Sequence, residues 1–195
     1  MSISSCVPID ELLRTFRSES NPTTVQQPFK TRTLSFKNPA TTETFAAFKP
    51  TSQSNYAANL VSIEEIPLEV AARYASEQFD RLAPNGLDTQ CQLFFDVIET
   101  ASRQPAGHLW LGIQNRFEKK VVSINDIAIH PSFRRRGLGK SLMKLVEVEA
   151  AKARAAYIRL HVFDMNEAAK RLYRAMGFVP TSLAIRKTLG PYLKG

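Results

Sequence analysis

Cysteine is nearly absent from this chain. Only Cys6 and Cys91 occur, far apart and in unlike contexts. That argues against a disulfide framework and makes free thiols in a reducing compartment the default expectation. Histidine is also scarce, and His108, His130 and His161 show no close ligand spacing, so no metal is expected. No apolar run approaches the length of a bilayer span, and no membrane partner is expected. The start, M-S-I-S-S-C-V-P-I-D, lacks a basic region followed by an apolar one, unlike a secretory signal. A cytoplasmic location is therefore the expectation, with a secretion or targeting role for the N-terminal arm as the alternative.

Acidic residues are outnumbered, 18 against 26 basic, for a net charge of +8. Nucleic-acid binding is one reading of that excess. The basic residues lie mostly after residue 119, however, and no basic patch is interleaved with stacking aromatics. A strongly anionic small ligand explains that placement better, and no nucleic-acid partner is expected.

At 195 residues the chain suits one domain plus an appendage. Residues 1–55 are rich in Ser, Thr, Pro, Gln and Asn without a sustained period and read as a flexible arm. A short helix around Asp10–Arg17 and a strand in T-R-T-L-S-F are its only regular candidates. Its phenylalanines (Phe16, Phe29, Phe36, Phe45, Phe48) exceed what a linker needs and suit packing on the domain or on a partner. The globular domain is expected over 56–195. Strands are expected at 59–63, 92–99, 108–113, 121–129, 157–163 and from Ser182 to Leu189. Helices are expected after Pro67, with Leu68, Ala71, Ala72, Ala75 and Phe79 buried, and at 138–153 and 167–176. Asn166 is a candidate N-cap and Gly177 a left-handed stop. The order implies an α/β fold, a mixed sheet with antiparallel strands first and a parallel crossover around 138–153.

The most informative stretch is D-I-A-I-H-P-S-F-R-R-R-G-L-G-K-S, residues 126–141. A β-branched run ends at Pro131, which has no N–H for a ladder. An Arg/Gly loop follows and leads directly into a helix with Leu138, Leu142, Leu145 and Val146 at helical spacing. A helix N-terminus leaves backbone N–H groups unsatisfied and carries partial positive charge. Gly137 and Gly139 permit close approach, and Arg134, Arg135, Arg136 and Lys140 add full charges. The loop suits a diphosphate; the alternative is a merely solubilising basic turn. Neither G-x-x-x-x-G-K-[ST] nor G-x-G-x-x-G is present.

Arg134, Gly137 and Gly139 resemble the [RQ]-x-x-G-x-[GA] signature of the GNAT superfamily of N-acetyltransferases. A second stretch, L-H-V-F-D-M-N-E-A-A-K-R-L-Y-R-A-M-G-F at 160–178, is similar to that family's late pattern through Leu160, Val162, Asn166, Ala169, Leu172, Tyr173, Gly177 and Phe178. The resemblance covers about 56–190 and is strongest over 121–189. It implies a GNAT-like mixed central sheet, flanked by helices, whose fourth and fifth strands splay. It also implies acetyl-coenzyme A as cosubstrate and an amine acceptor, small or protein-borne. The loop from Arg134 through Arg135, Arg136, Gly137, Leu138, Gly139 and Lys140 to Ser141 would hold the pyrophosphate. Backbone groups of Ile127 and Ile129, with Asn166 and Lys170, would hold the rest of the cofactor. A homodimer, common in the family, is left open.

Asn166 and Tyr173 are seven residues apart, within about 20° on one helical face, so both can address one cleft. An N-cap asparagine beside a half-buried tyrosine is the plain alternative. Acyl transfer to an amine needs a route for a proton, because a lysine-like amine is only about 0.04% neutral at pH 7, an unfavourable deprotonation of about 4.6 kcal/mol. The resemblance makes Tyr173 the acid to the departing sulfur. One family position for the base corresponds to Ser123, which cannot serve at neutral pH. Another corresponds to His161, whose imidazole titrates in the right range. A water relay and Asp126 are further alternatives, with Asp126 expected on the strand face opposite Ser123, Asn125 and Ile127. A catalytically silent acetyl-coenzyme A-binding module and a nucleic-acid-binding scaffold are the competing functional classes.

Overall fold

The computed structural model describes residues 34–37 and 40–187. Among these residues, five strands form one sheet in the order β1-β2-β3-β4-β5: β1 (Leu34–Lys37), β2 (Gln92–Glu99), β3 (Gln104–Arg116), β4 (Lys119–Ile129) and β5 (Tyr157–Leu160). The first four pair antiparallel, and β4 and β5 are parallel. Four helices flank the sheet: α1 (Thr42–Glu64), α2 (Leu68–Leu82), α3 (Leu138–Lys152) and α4 (Glu167–Ala175). This is the expected mixed α/β architecture. The right-handed crossover rule for parallel pairs leaves α3 as the connection between β4 and β5.

The alternation of the strands divides the core in two. Leu93, Phe95, Val97, Leu109, Leu111, Val122 and Ile124 point to one side and pack with Leu138, Leu142, Met143, Leu145 and Val146 of α3; Leu172 and Tyr173 of α4 join this cluster. Phe94 and Trp110 point to the other side, against Phe48 of α1 and Phe79 of α2. The α1–α2 hairpin closes through Ala57, Leu60, Ala71 and Ala75, with Lys49 paired to Asp80 at 2.7 Å. Ala71, Ala75 and Phe79 are buried as expected, whereas Leu68 and Ala72 face solvent.

Four expectations are corrected. Residues 59–63 are not a first strand but the last turns of α1, because Leu60 with Ala57 packs on α2 at helical spacing. The boundary drawn at Tyr56 falls inside that helix, and β1 pairs with β2 from Leu34↔Glu99 to Lys37↔Asp96, so this stretch is built into the fold. Phe36, Phe45 and Phe48 pack on the sheet, Phe36 with its ring 4.9 Å from that of Phe95. Residues 181–187 form no strand; instead Arg186 meets Glu64 at 2.7 Å and donates to the Ile63 carbonyl at the end of α1. Finally, Cys91 is disulfide-bonded and not a free thiol. Cys6, the Asp10–Arg17 helix, Phe16 and Phe29 lie outside the described residues.

Gly107 fixes how closely β3 approaches the end of β4. A Cβ there would lie 2.0 Å from the Ala128 carbonyl oxygen, a contact no side chain tolerates. Gly107→Ala therefore forces the strands apart and should cost about 1–3 kcal/mol. Thermal unfolding by circular dichroism should show a Tm lower by roughly 3–10 °C for a chain of this size. An unchanged Tm would contradict this packing.

Candidate active site

The site is made by a strand pair that stops pairing. β4 and β5 run in register from Val121↔Tyr157 to Ile124↔Leu160. Beyond Ile124, β4 continues to Ile129 bonded only to β3, while the chain after Leu160 leaves the sheet. The edge of β4 turned from β3 over Asn125–Ile129 thus opens a split between β4 and the last strand of the described sheet.

A β-bulge sits at the start of the split. Leu111 pairs with Ile124 and Trp110 with Asp126, leaving Asn125 as the extra residue. Its side chain is pinned: Asn125 Nδ2 donates to Gln92 Oε1 at 2.9 Å, and that oxygen also accepts from Trp110 Nε1 at 2.7 Å. The bulge reverses the simple alternation. Ser123 is registered with Gly112 and Asp126 with Trp110, so both lie on the α1–α2 side. The expectation that Asp126 faces away from Ser123 and Asn125 is corrected; it faces away from Ile127, which packs with Ile129 on the α3–α4 side.

Asp126 is enclosed. His108 Nε2 lies 3.5 Å from its Oδ1, an ion-pair distance, and this buried nitrogen has no other partner among the described residues. The His108 ring stands edge-on to Phe48 of α1 with centroids 4.7 Å apart. Burial alone would raise the Asp126 pKa. His108, the Ser52 hydroxyl and the Ile127 N–H outweigh it and hold the carboxyl below its ordinary value, so it is ionised throughout the neutral range. Ser123 is exchanged into a different bond, its Oγ accepting from Gln114 Nε2 at 2.8 Å.

Tyr173 reaches the split from the opposite side. It is half-buried on α4, its ring centroid 5.7 Å from that of Phe178. Burial, and secondarily the Asp126 charge, push its pKa up, so the phenol keeps its proton. Asn166 is the N-cap of α4, with Oδ1 accepting from Ala169 N at 3.1 Å. Lys170 is tied to Asp164 and Glu167, each at 2.6 Å. His161 is exposed, with its ring perpendicular to Phe163 at 5.3 Å.

The loop after β4 is built for close approach from outside. Arg135 and Gly137 adopt φ of 61° and 75°, and Gly137 caps the N-terminus of α3. A Cβ on Gly137 would meet nothing within 4 Å, so the space outside it is open to a ligand. Gly139 serves packing instead: a Cβ there would be 3.2 Å from Leu172 Cδ2 on α4. Arg134 Nε donates to the Ile129 carbonyl at 2.8 Å, and the Arg136 guanidinium sits 5.6 Å from the Phe133 ring centroid. Arg134 thus braces the strand end. The side chains that sequence reasoning missed are His108, Ser52 and Gln92, which come from three distant elements; the one local signal was the bulge, and it is invisible without the register.

Among the described residues no cluster of three or more His, Cys, Asp or Glu is arranged to hold a metal, and no helix is long and apolar enough to cross a membrane.

The model of the acetyltransferase (GNAT) family matches residues 59–178. The chain is 28% identical over 149 residues to YdgE of Bacillus subtilis, an uncharacterized N-acetyltransferase, covering 76% of this chain and 94% of that one. It is 24% identical over 151 residues to YycN of the same organism, covering 77% and 96%. The crystal structure of YycN superposes with a TM-score of 0.76 over 80% of this chain and 99% of its own. A GCN5-related N-acetyltransferase from Ralstonia eutropha, 20% identical, gives 0.59 over 80% and 98%. The split sheet, the left-handed glycine at the head of α3 and these matches lead to one conclusion: the chain belongs to the GNAT acetyltransferase family.

Proposed function

We propose that this protein is an N-acetyltransferase that moves an acetyl group from acetyl-coenzyme A directly to an amine, both bound at once. The observation that carries the reading is the split between β4 and β5, flanked on one side by the head of α3 and on the other by an ionised carboxylate. The residues fit an anionic donor. The α3 N-terminus offers unsatisfied N–H groups, Gly137 leaves the approach open, and Arg135 and Lys140 are exposed beside it. Ile127 and Ile129 line the split from β4, with Asn166 and Lys170 at the start of α4.

Acetyl-coenzyme A supplies an activated acyl group as a thioester. The chain's own residues manage protons. Tyr173, protonated across the working pH range, donates to the sulfur as the C–S bond breaks and the N–C bond forms. Asp126, ionised in the neutral range and faced by His108, anchors the incoming ammonium, whose surplus proton passes to water. Its low pKa makes it an electrostatic anchor, not a store for the proton, which passes on to solvent. His161, exposed beside Phe163, is the alternative candidate for the base. The retention of Tyr173 and an enclosed carboxylate favours turnover over a silent ligand-binding module.

Excess acetyl-coenzyme A or coenzyme A should raise Tm. At about 100 times its dissociation constant a ligand adds about 2.7 kcal/mol, or roughly 5–10 °C here. ATP and a DNA duplex should leave Tm unchanged, and Gly137→Trp should abolish the coenzyme A shift. A DNA shift without a coenzyme A shift would overturn the assignment. Tyr173→Phe should lower kcat at least tenfold in steady-state assays with acetyl-coenzyme A affinity retained; full activity removes the tyrosine as the acid. Asp126→Asn should raise the amine KM at least tenfold with little change in the acetyl-coenzyme A KM, and equal effects on both would place Asp126 outside the acceptor site.

A further inference from the structure

The helix α1 crosses the split on the face opposite α3 and α4, and its stripe of contacts identifies what lines the acceptor entrance. Phe48, Ser52 and Tyr56 follow one another at intervals of four, on one side of the helix. Phe48 meets His108 on β3. Ser52 bonds Asp126 on β4. Tyr56 lies 5.8 Å, centroid to centroid, from Phe163 in the segment beyond β5. One helical turn, about 5.4 Å, therefore separates the carboxylate from the start of an aromatic wall. That wall runs from Tyr74 of α2, 6.5 Å from Tyr56, through Phe163 to His161 at 5.3 Å. Tyr74 is 45% exposed, so the wall is open to a ligand.

Charge separates the two faces in the same sense. Residues 42–99, which contain α1, α2 and β2, hold nine acidic and three basic side chains. Residues 116–187, which contain the loop, α3 and α4, hold sixteen basic and six acidic ones. Two of the cations near the hairpin are spent locally, Lys49 on Asp80 and Arg186 on Glu64. Arg159 is registered with Ser123, where β4 and β5 are still paired, on the closed side of the split. An anionic donor and a cationic acceptor are thus drawn to opposite sides of one opening.

We propose, building on the acetyltransferase reading, that the acceptor is a small cationic amine with an apolar or aromatic stem and no carboxylate, its ammonium at Asp126 and its stem along Tyr56, Tyr74 and Phe163. Aromatic faces attract both an apolar stem and the ammonium it carries. A carboxylate next to the amine would be brought against Asp126 with like charge.

The test is acetyl transfer by the full chain to phenethylamine, ethylamine, L-phenylalanine and a lysine-bearing peptide, read as coenzyme A release and as acetylated product by mass spectrometry. Phenethylamine should exceed ethylamine at least tenfold in kcat/KM and exceed L-phenylalanine by more. Phe163→Ala and Tyr74→Ala should each cut the phenethylamine-to-ethylamine ratio at least fivefold, with the acetyl-coenzyme A thermal shift retained as the check on fold. Preference for ethylamine, L-phenylalanine or the peptide, or a ratio that neither substitution moves, overturns the acceptor class and leaves acetyl transfer standing. Absence of acetylated product from every amine overturns the acetyltransferase reading and this inference with it.

Discussion

Asn125 is one residue too many for the ladder between β3 and β4, and the site depends on that excess. The bulge it forms turns Asp126 towards α1 and sends Ile127 towards α4. A bulge is held only where its unpaired groups find partners, and here Gln92 accepts from both Asn125 and Trp110. Gly112 makes room, since a Cβ there would come within 3.0 Å of Asn125 Nδ2. At the same point β5 ceases to pair with β4, its last partner being Ile124. Local twist and loss of a neighbour coincide, so an otherwise continuous sheet acquires an opening with different chemistry at its two mouths.

The two mouths belong to two cores. On the α3–α4 side the packing is aliphatic and tight, with Met143, Val146 and Leu142 fully buried beneath a basic loop. Gly139 lets α4 lie directly on the head of α3. This fixes Tyr173 relative to the loop, as its proposed role of proton donor requires. On the α1–α2 side the packing is aromatic, Phe48, Phe79, Phe94 and Trp110 stacking edge and face. The carboxylate of Asp126 is embedded at the border of that cluster, where burial strengthens its field.

How much of this was legible in the sequence follows from where the information resides. The Arg/Gly loop and the Asn166–Tyr173 helix are local: caps, left-handed glycines and helical spacing are written in neighbouring residues, and both elements lie within a residue of expectation. Strand β2 likewise spans the expected residues 92–99. Helix α1 was hidden because Pro50 and a run of Ser, Thr, Gln and Asn mask it, and because N-L-V-S-I has strand-like composition; packing of Leu60 on α2 overrides that local preference. The orientation of Asp126 was hidden for another reason. Period-two counting is correct only in an unbroken ladder, and the bulge is set by Gln92, a residue 33 positions from Asn125. His108 and Ser52 were invisible as site residues because their role is to face Asp126 from other elements.

On the proposed reading, a site with a donor mouth and an acceptor mouth, and with its acid and its carboxylate on opposite sides of one split, transfers the acyl group while both substrates are bound. Initial-velocity kinetics test that most directly, with acetyl-coenzyme A and amine varied against each other. Double-reciprocal lines that intersect are the result this account predicts. Parallel lines, with an acetylated enzyme trapped in the absence of amine, would contradict it.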